Sequence, residues 1–140
     1  MTPHQATVVA IAGRGVMIEG DPGAGKSSLA LALIDRGARL VGDDSVMLEV
    51  ADGRLLAHPH PATRGLLEVR NLGLLPVEPI AGVPIALVVR LDRDAPRYCE
   101  VAEEVHRGGA VLPMVPLSPE GSVLHLKVEL ALERYGLASD

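Results

Sequence analysis

Apolar and polar positions along this 140-residue chain change period several times, and each change predicts an element. Residues 5–11 alternate weakly and carry the β-branched Thr7, Val8, Val9 and Ile11, which predicts a strand. The tight turn Ala12-Gly13-Arg14-Gly15 leads into a second strand over 16–19, and the two read as a hairpin. From Ser28 to Arg36 the period lengthens. Leu29 with Leu33, and Ala30 with Ile34, recur at spacing four and predict a helix that ends at Gly37. A short apolar strand over 39–41 then runs into Gly42-Asp43-Asp44, and strands over 46–50 and 55–57 flank a turn at Ala51-Asp52-Gly53.

The second half is less regular. His58-Pro59-His60-Pro61 reads as a loop, since proline is poorly tolerated in helices and central strands, and its two histidines have no evident third partner for a metal. Residues 66–75 break at Gly73. Residues 85–92 form the strongest apolar run and predict a central strand. Residues 94–109 are polar and charged and read as a mobile connection, followed by a short edge strand over 111–117 that contains Pro113 and Pro116. A final helix, capped by Ser122 and stopped at Gly136, gathers Leu124, Val128, Ala131, Leu132 and Tyr135 near one face.

Composition narrows what such a chain can do. The length predicts one domain over 1–140. A net charge of −5 leaves no basic face for a nucleic-acid backbone. With no Phe or Trp, only Tyr98 and Tyr135 could stack on a base, so any adenine must be gripped mainly by aliphatic side chains and main-chain groups. Cys99 is alone, which excludes an internal disulfide. Nothing resembles a signal peptide or a membrane span, so the expectation is a cytoplasmic protein with no membrane partner.

Candidate chemistry concentrates between the second strand and the first helix. Gly20, Asp21, Pro22, Gly23, Ala24, Gly25, Lys26 and Ser27 fit G-x-x-x-x-G-K-[ST] in full, the Walker A loop whose backbone N–H groups cradle polyphosphate. In that pattern Lys26 places an ammonium on the outer phosphates and Ser27 is a ligand for Mg²⁺. The following helix, opening at Ser28, presents its positive dipole end to the same anion. Phosphoryl transfer also needs carboxylates, and two places offer them. Asp92 closes the long apolar run, as a Walker-B aspartate would. Asp43 and Asp44 close a shorter run as an adjacent pair, and neighbouring carboxylates tend to separate in role. Composition alone leaves both open.

The phosphate loop, Ala30-Leu31 behind it, and the run from Ile34 through Gly42-Asp43-Asp44 resemble the catalytic domain of HPr kinase/phosphorylase. So does Leu67-Glu68-Val69-Arg70-Asn71-Leu72-Gly73-Leu74, similar to that family's L-E-[IV]-R-G-x-G signature. The resemblance runs from about Gln5 to Leu75 and more weakly to the last helix, as in a short alphaproteobacterial form. It implies an α/β fold of the HPr kinase/PEP carboxykinase type: a P-loop-containing mixed sheet, a helix after the phosphate loop and a C-terminal helix. It further implies a bifunctional enzyme that uses ATP and Mg²⁺ to phosphorylate a serine of the phosphocarrier protein HPr. The same enzyme would remove that phosphate with inorganic phosphate, releasing pyrophosphate.

Under this resemblance Lys26 contacts the β-phosphate region, Ser27 and Glu68 hold Mg²⁺, and the Asp43-Asp44 pair supplies the base, with the family's aspartate falling at Asp44. Arg70 belongs to the segment needed in both directions, and Asp92 becomes a structural strand end. A homo-oligomer, hexameric in the family, is implied as well. The chain departs from the pattern at Gln5, where the family has histidine (His4 is one place away). It departs again at Ser28, where an acidic residue is usual, and at Gly42, where alanine is. The family's downstream arginine has Arg97 as a candidate, then Arg93 and Arg107. A regulatory nucleotide-binding module of the same fold, weakened in catalysis, and a small-molecule kinase are the competing readings. Transfer of labelled phosphate from ATP to HPr discriminates among them.

Overall fold

The strongest apolar run becomes the strand to which the rest of the sheet attaches, in a computed structural model that describes residues 1–139. In chain order the elements are β1 (Thr2–His4), β2 (Thr7–Ile11), β3 (Arg14–Glu19), α1 (Lys26–Asp35), β4 (Arg39–Gly42), β5 (Val46–Ala51) and β6 (Arg54–Pro59). There follow β7 (Leu66–Val69), β8 (Gly73–Pro76), β9 (Val83–Leu91), β10 (Glu103–Arg107), β11 (Ala110–Leu117) and α2 (Leu124–Tyr135). Nine strands form one mixed sheet in the order β1-β5-β6-β9-β3-β2-β4, with β11 and then β10 branching from β9. Strand β9 manages this because its two ends have different neighbours. Val83 and Pro84 pair with β6, Val88 to Leu91 pair in parallel with β11, and the opposite edge pairs in parallel with β3. The sheet therefore divides into two arms at β9, with an apolar core on each face.

One core packs Val9, Val16, Ile18, Leu87 and Val89 against Leu29 and Leu33 of α1 and Val128 and Leu132 of α2. The other packs Val8, Met17 and Val88 against Val46, Leu48, Leu55, Ala57 and Met114. Strands β2, β3 and β9 are thus apolar on both sides, which accounts for the weak alternation of residues 5–11. Helix α1 stops as expected. Gly37 donates to the Ile34 carbonyl and Ala38 to the Leu33 carbonyl, the paired bonds of a Schellman ending. Among the described residues no helix is long and apolar enough to cross a membrane. The α/β class is as expected, with a mixed sheet, a helix directly behind the loop and a C-terminal helix.

Several local expectations are corrected. The first predicted strand, over 5–11, begins only at Thr7, and a separate β1 paired with β5 precedes it. His58 and Pro59 belong to β6 rather than to a loop, with Val46 opposite Pro59 and the His58 ring hydrogen-bonded to Glu49 at 2.8 Å. Within 94–109, Glu103 to Arg107 form β10 against β11. Strand β11 is no simple edge. Its first half pairs with β10 and its second half with β9, meeting at Met114. Each half has partners on one side only in this register, so Pro113 and Pro116 can both be accommodated. Helix α2 is capped at Val123 and not at Ser122, with no side-chain cap, and its first bond runs from Lys127 N–H to the Val123 carbonyl.

A cluster absent from the sequence reading stands at the end of β3. Glu19 receives Arg107 Nη2 at 2.7 Å on Oε1, and Arg107 Nε at 2.9 Å together with the His4 ring at 2.8 Å on Oε2. Burial alone would raise the Glu19 pKa, but the hydrogen bonds from Arg107 and His4 prevail and lower it to about 2. A carboxyl depressed from 4.5 to about 2 stabilises the fold above pH 4.5 and loses that contribution as pH falls toward 2. Glu19→Gln is therefore expected to cost about 2–3 kcal/mol near pH 7 and progressively less as the pH approaches 2. Urea unfolding of both proteins across this range checks the convergence; parallel curves would contradict it.

Candidate active site

The loop between β3 and α1 takes its shape from its glycines. Gly23 and Gly25 sit at φ +82° and +103°, in the region that disfavours residues with a Cβ. Gly25 is the N-cap of α1 and offers no side-chain cap, so the first N–H groups of the helix are left for a ligand. Lys26 folds back over the loop, its Nζ donating to the Gly20 carbonyl at 2.9 Å and to the Asp21 carbonyl at 3.0 Å. The ammonium is thereby held at the loop mouth, and no carboxylate among the described residues pairs with it.

Beside this loop opens a cavity of about 450 Å³ lined by Thr7, Pro22, Gly23, Gly25, Lys26, Ser27, Ser28, Asp44, Glu68 and Arg70. Residues far apart in sequence are brought together by three elements. Strand β2 supplies Thr7, the turn after β4 supplies Asp44, and the β7–β8 hairpin supplies Glu68 and Arg70. Gly20, Asp21 and Ala24 line the neighbouring cavity on the outer side of the loop, with Arg90, Asp92 and Arg93.

The two aspartates occupy unlike environments. Asp43 is buried, and both its oxygens are engaged. Oδ1 accepts the Ser27 hydroxyl at 2.7 Å and the Thr7 hydroxyl at 3.0 Å, while Oδ2 accepts the Glu68 N–H at 2.9 Å. One carboxylate thus ties together β2, the first turn of α1 and β7. Asp44 is exposed to the cavity at φ +68°, its N–H donating to Thr7 Oγ1 at 3.2 Å and its carbonyl accepting from Ala6 N–H at 3.1 Å. The backbone is pinned at both ends of Asp44 and the carboxylate projects into the cavity. Gly42 is set by close approach, since a Cβ there would stand 2.6 Å from the Ser45 carbonyl oxygen. The alanine expected from the resemblance would force this turn to shift.

The donors facing the cavity are hard oxygens, the Ser27 hydroxyl and the Glu68 and Asp44 carboxylates. Among the described residues no three or more His, Cys, Asp or Glu converge to hold a metal. A few carboxylate and hydroxyl oxygens, completed by phosphate oxygens and water, are what Mg²⁺ takes, so the residues fit that ion.

Other expected positions lie elsewhere. Asp92 accepts the Asp94 N–H at 2.8 Å and closes a turn after β9. Arg107 is committed to Glu19, Arg97 lies over the Tyr98 ring at 5.5 Å, and Arg93 lines the outer cavity. Neither Gln5 nor His4 lines the phosphate-loop cavity. Thr7 was missed by sequence reasoning. Its signal was faint, a single hydroxyl in an apolar strand that becomes wholly buried.

Comparison with known proteins gives these features a family. The model of the HPr Serine kinase C-terminal domain matches residues 1–93. HPr kinase/phosphorylase of Clostridium beijerinckii is 45% identical over 82 residues, 59% of this chain and 27% of that protein. The enzyme of the same name from Clostridium tetani is 41% identical over 89 residues, 64% of this chain and 29% of that one. The one from Bordetella petrii is 48% identical over 73 residues, 51% of this chain and 24% of that one. The chain thus spans about a quarter of the length of the curated relatives it matches. The solved structure of the HPr(Ser) kinase/phosphatase from Coxiella burnetii superposes with a TM-score of 0.86 at 24% identity, over 96% of this chain and 90% of that one, and shows the same fold. With two thirds of its length inside the family model, the chain belongs to the HPr serine kinase C-terminal domain family.

Proposed function

We propose that this chain is an ATP-dependent kinase of a serine on the phosphocarrier protein HPr, and a phosphate-dependent phosphorylase of the product. The observation that carries the proposal is a single cavity in which Lys26 and Ser27 of the phosphate loop face Asp44, Glu68 and Arg70. Family membership supports the choice of HPr as the acceptor.

In the forward direction the serine Oγ attacks the γ-phosphorus of ATP, the bond to the β–γ bridging oxygen breaks, and ADP leaves. Asp44 takes the serine proton. The assignment to Asp44 rests on its exposure, since Asp43 already accepts three hydrogen bonds and is shut off from the acceptor. In reverse, an oxygen of inorganic phosphate attacks the phosphoserine phosphorus, the bond from phosphorus to the serine Oγ breaks, Asp44 returns the proton to that oxygen, and the pyrophosphate formed is released. Lys26 and the free N–H groups of α1 neutralise the phosphates in both directions, and Arg70 adds a second cation at the transfer end. Ser27 and Glu68 would hold Mg²⁺, which supplies charge neutralisation and alignment of the phosphate oxygens. Asp43 orients the Ser27 hydroxyl for that role.

The test is incubation with ATP, Mg²⁺ and HPr from the same genome. Phosphoserine on HPr, removed by inorganic phosphate with release of pyrophosphate, is the expected result. Tight ATP binding without transfer under any metal or phosphate condition would favour a regulatory nucleotide-binding module of this fold. That second reading is supported by Ser28 in place of an acidic residue and by the fact that neither Gln5 nor His4 lines the cavity.

A further inference from the structure

The cavity described so far accounts for the phosphates and for the end at which transfer occurs, but not for the nucleoside. Its polarity is clear. Asp44, Glu68 and Arg70 mark the acceptor side. In a loop of this pattern the lysine reaches the outer phosphates, while the backbone that follows cradles the inner ones. The inner end of the polyphosphate therefore leaves near Ser28.

A second, smaller cavity of about 200 Å³ opens there, lined by Gly25, Ser28, Leu29, Ala32, Pro119, Gly121, Ser122, Leu124 and His125. It shares Gly25 and Ser28 with the phosphate cavity and none of the acceptor-side residues. Its walls come from the first two turns of α1 and from the segment that joins β11 to α2. Leu29, Ala32, Pro119 and Leu124 give an aliphatic lining, while Ser122 and His125 add polar groups. The volume lies below the ~300 Å³ of a small-molecule site, enough for one heterocycle with its sugar left at the mouth. The aromatic side chains are elsewhere: Tyr98 is exposed, and Tyr135 donates its hydroxyl to the Cys99 carbonyl. The remaining cavity beside the loop, on its outer side, is walled mainly by charged side chains of both signs, Asp21, Arg90, Asp92, Arg93 and Asp94, and offers a heterocycle less aliphatic surface.

We infer that the cavity between α1 and the 119–125 segment holds the nucleobase of the nucleoside triphosphate, against Pro119, Leu124 and the His125 ring. This rests on the phosphate-site reading given under the proposed function. The base is then gripped by aliphatic surface and one imidazole rather than by a stacked aromatic ring, as a chain without Phe or Trp requires.

Two ligands separate the base from the phosphates: ATP, and inorganic tripolyphosphate, which lacks the nucleoside. Ala32→Leu fills the cavity from a helical position with a good helix former, and His125→Ala removes the ring from the opposite wall. Calorimetric titration with Mg²⁺ present is expected to show ATP affinity falling about tenfold, or about 1.4 kcal/mol, in each variant. Tripolyphosphate affinity should stay within about twofold of the parent, which also shows that the loop is intact. Unchanged ATP affinity in both variants, or an equal loss for ATP and tripolyphosphate, would overturn the assignment. Failure of the unsubstituted protein to bind either ligand would instead overturn the phosphate-site reading beneath it.

Discussion

Lys26→Ala is expected to abolish measurable ATP binding and, with it, phosphoryl transfer. The ammonium does two jobs in this structure. It closes the loop on itself through the Gly20 and Asp21 carbonyls at 2.9 and 3.0 Å, and it lines the proposed phosphate cavity. Losing charge-assisted bonds to phosphate costs about 3 kcal/mol or more, a factor on the order of 100 in affinity. The fold itself should be little affected, because the side chain contributes nothing to either core. Calorimetry with ATP, paired with a thermal melt, checks both parts. Retention of tight binding would place the phosphates elsewhere.

Separating the two aspartates should have the next largest effect, and the two substitutions should fail in different ways. Asp44→Asn keeps a residue that tolerates φ +68° and removes only the proton acceptor. Nucleotide binding and melting temperature should hold, while transfer to HPr falls by a factor on the order of 10²–10⁴. Asp43→Ala removes the acceptor shared by Ser27, Thr7 and the Glu68 N–H, and should cost about 3 kcal/mol of stability as well as activity. If instead Asp43→Ala melts like the parent and Asp44→Asn does not, the roles are exchanged.

The phosphate loop is legible in the sequence because its chemistry constrains consecutive residues: Gly23 and Gly25 for backbone geometry, Lys26 for charge, Ser27 for a hydroxyl. The turn at Gly37 is legible for the same reason. What sequence cannot divide is the pair Asp43-Asp44. Their difference arises from Thr7 and Glu68, thirty-six and twenty-five residues from Asp43 and invisible to any local window. Glu19 is an extreme case, reading only as the last residue of a strand until Arg107 arrives from eighty-eight positions away. Composition misled where pairing overrides propensity. Glu103 to Arg107 is polar because it forms an outer strand, and Pro113 and Pro116 are tolerated because β11 changes partners between them. Ser122 looks like a cap, but the turn through Gly121 at φ +96° delays the helix by one residue.

The β7–β8 hairpin belongs to neither arm of the main sheet and pairs only with itself. Two strands alone are marginal in water. Its attachment includes the Leu67 side chain, buried in the helix-side core, and the Glu68 N–H held by Asp43. Outward it shows water Leu72, Leu74 and Leu75. The wall carrying Glu68 and Arg70 can therefore open at a free energy well below that of global unfolding, while the phosphate loop stays folded on the central strands. Polyphosphate retention and phosphoryl transfer then answer to two different stabilities, and a mild denaturant should extinguish transfer before it releases the nucleotide.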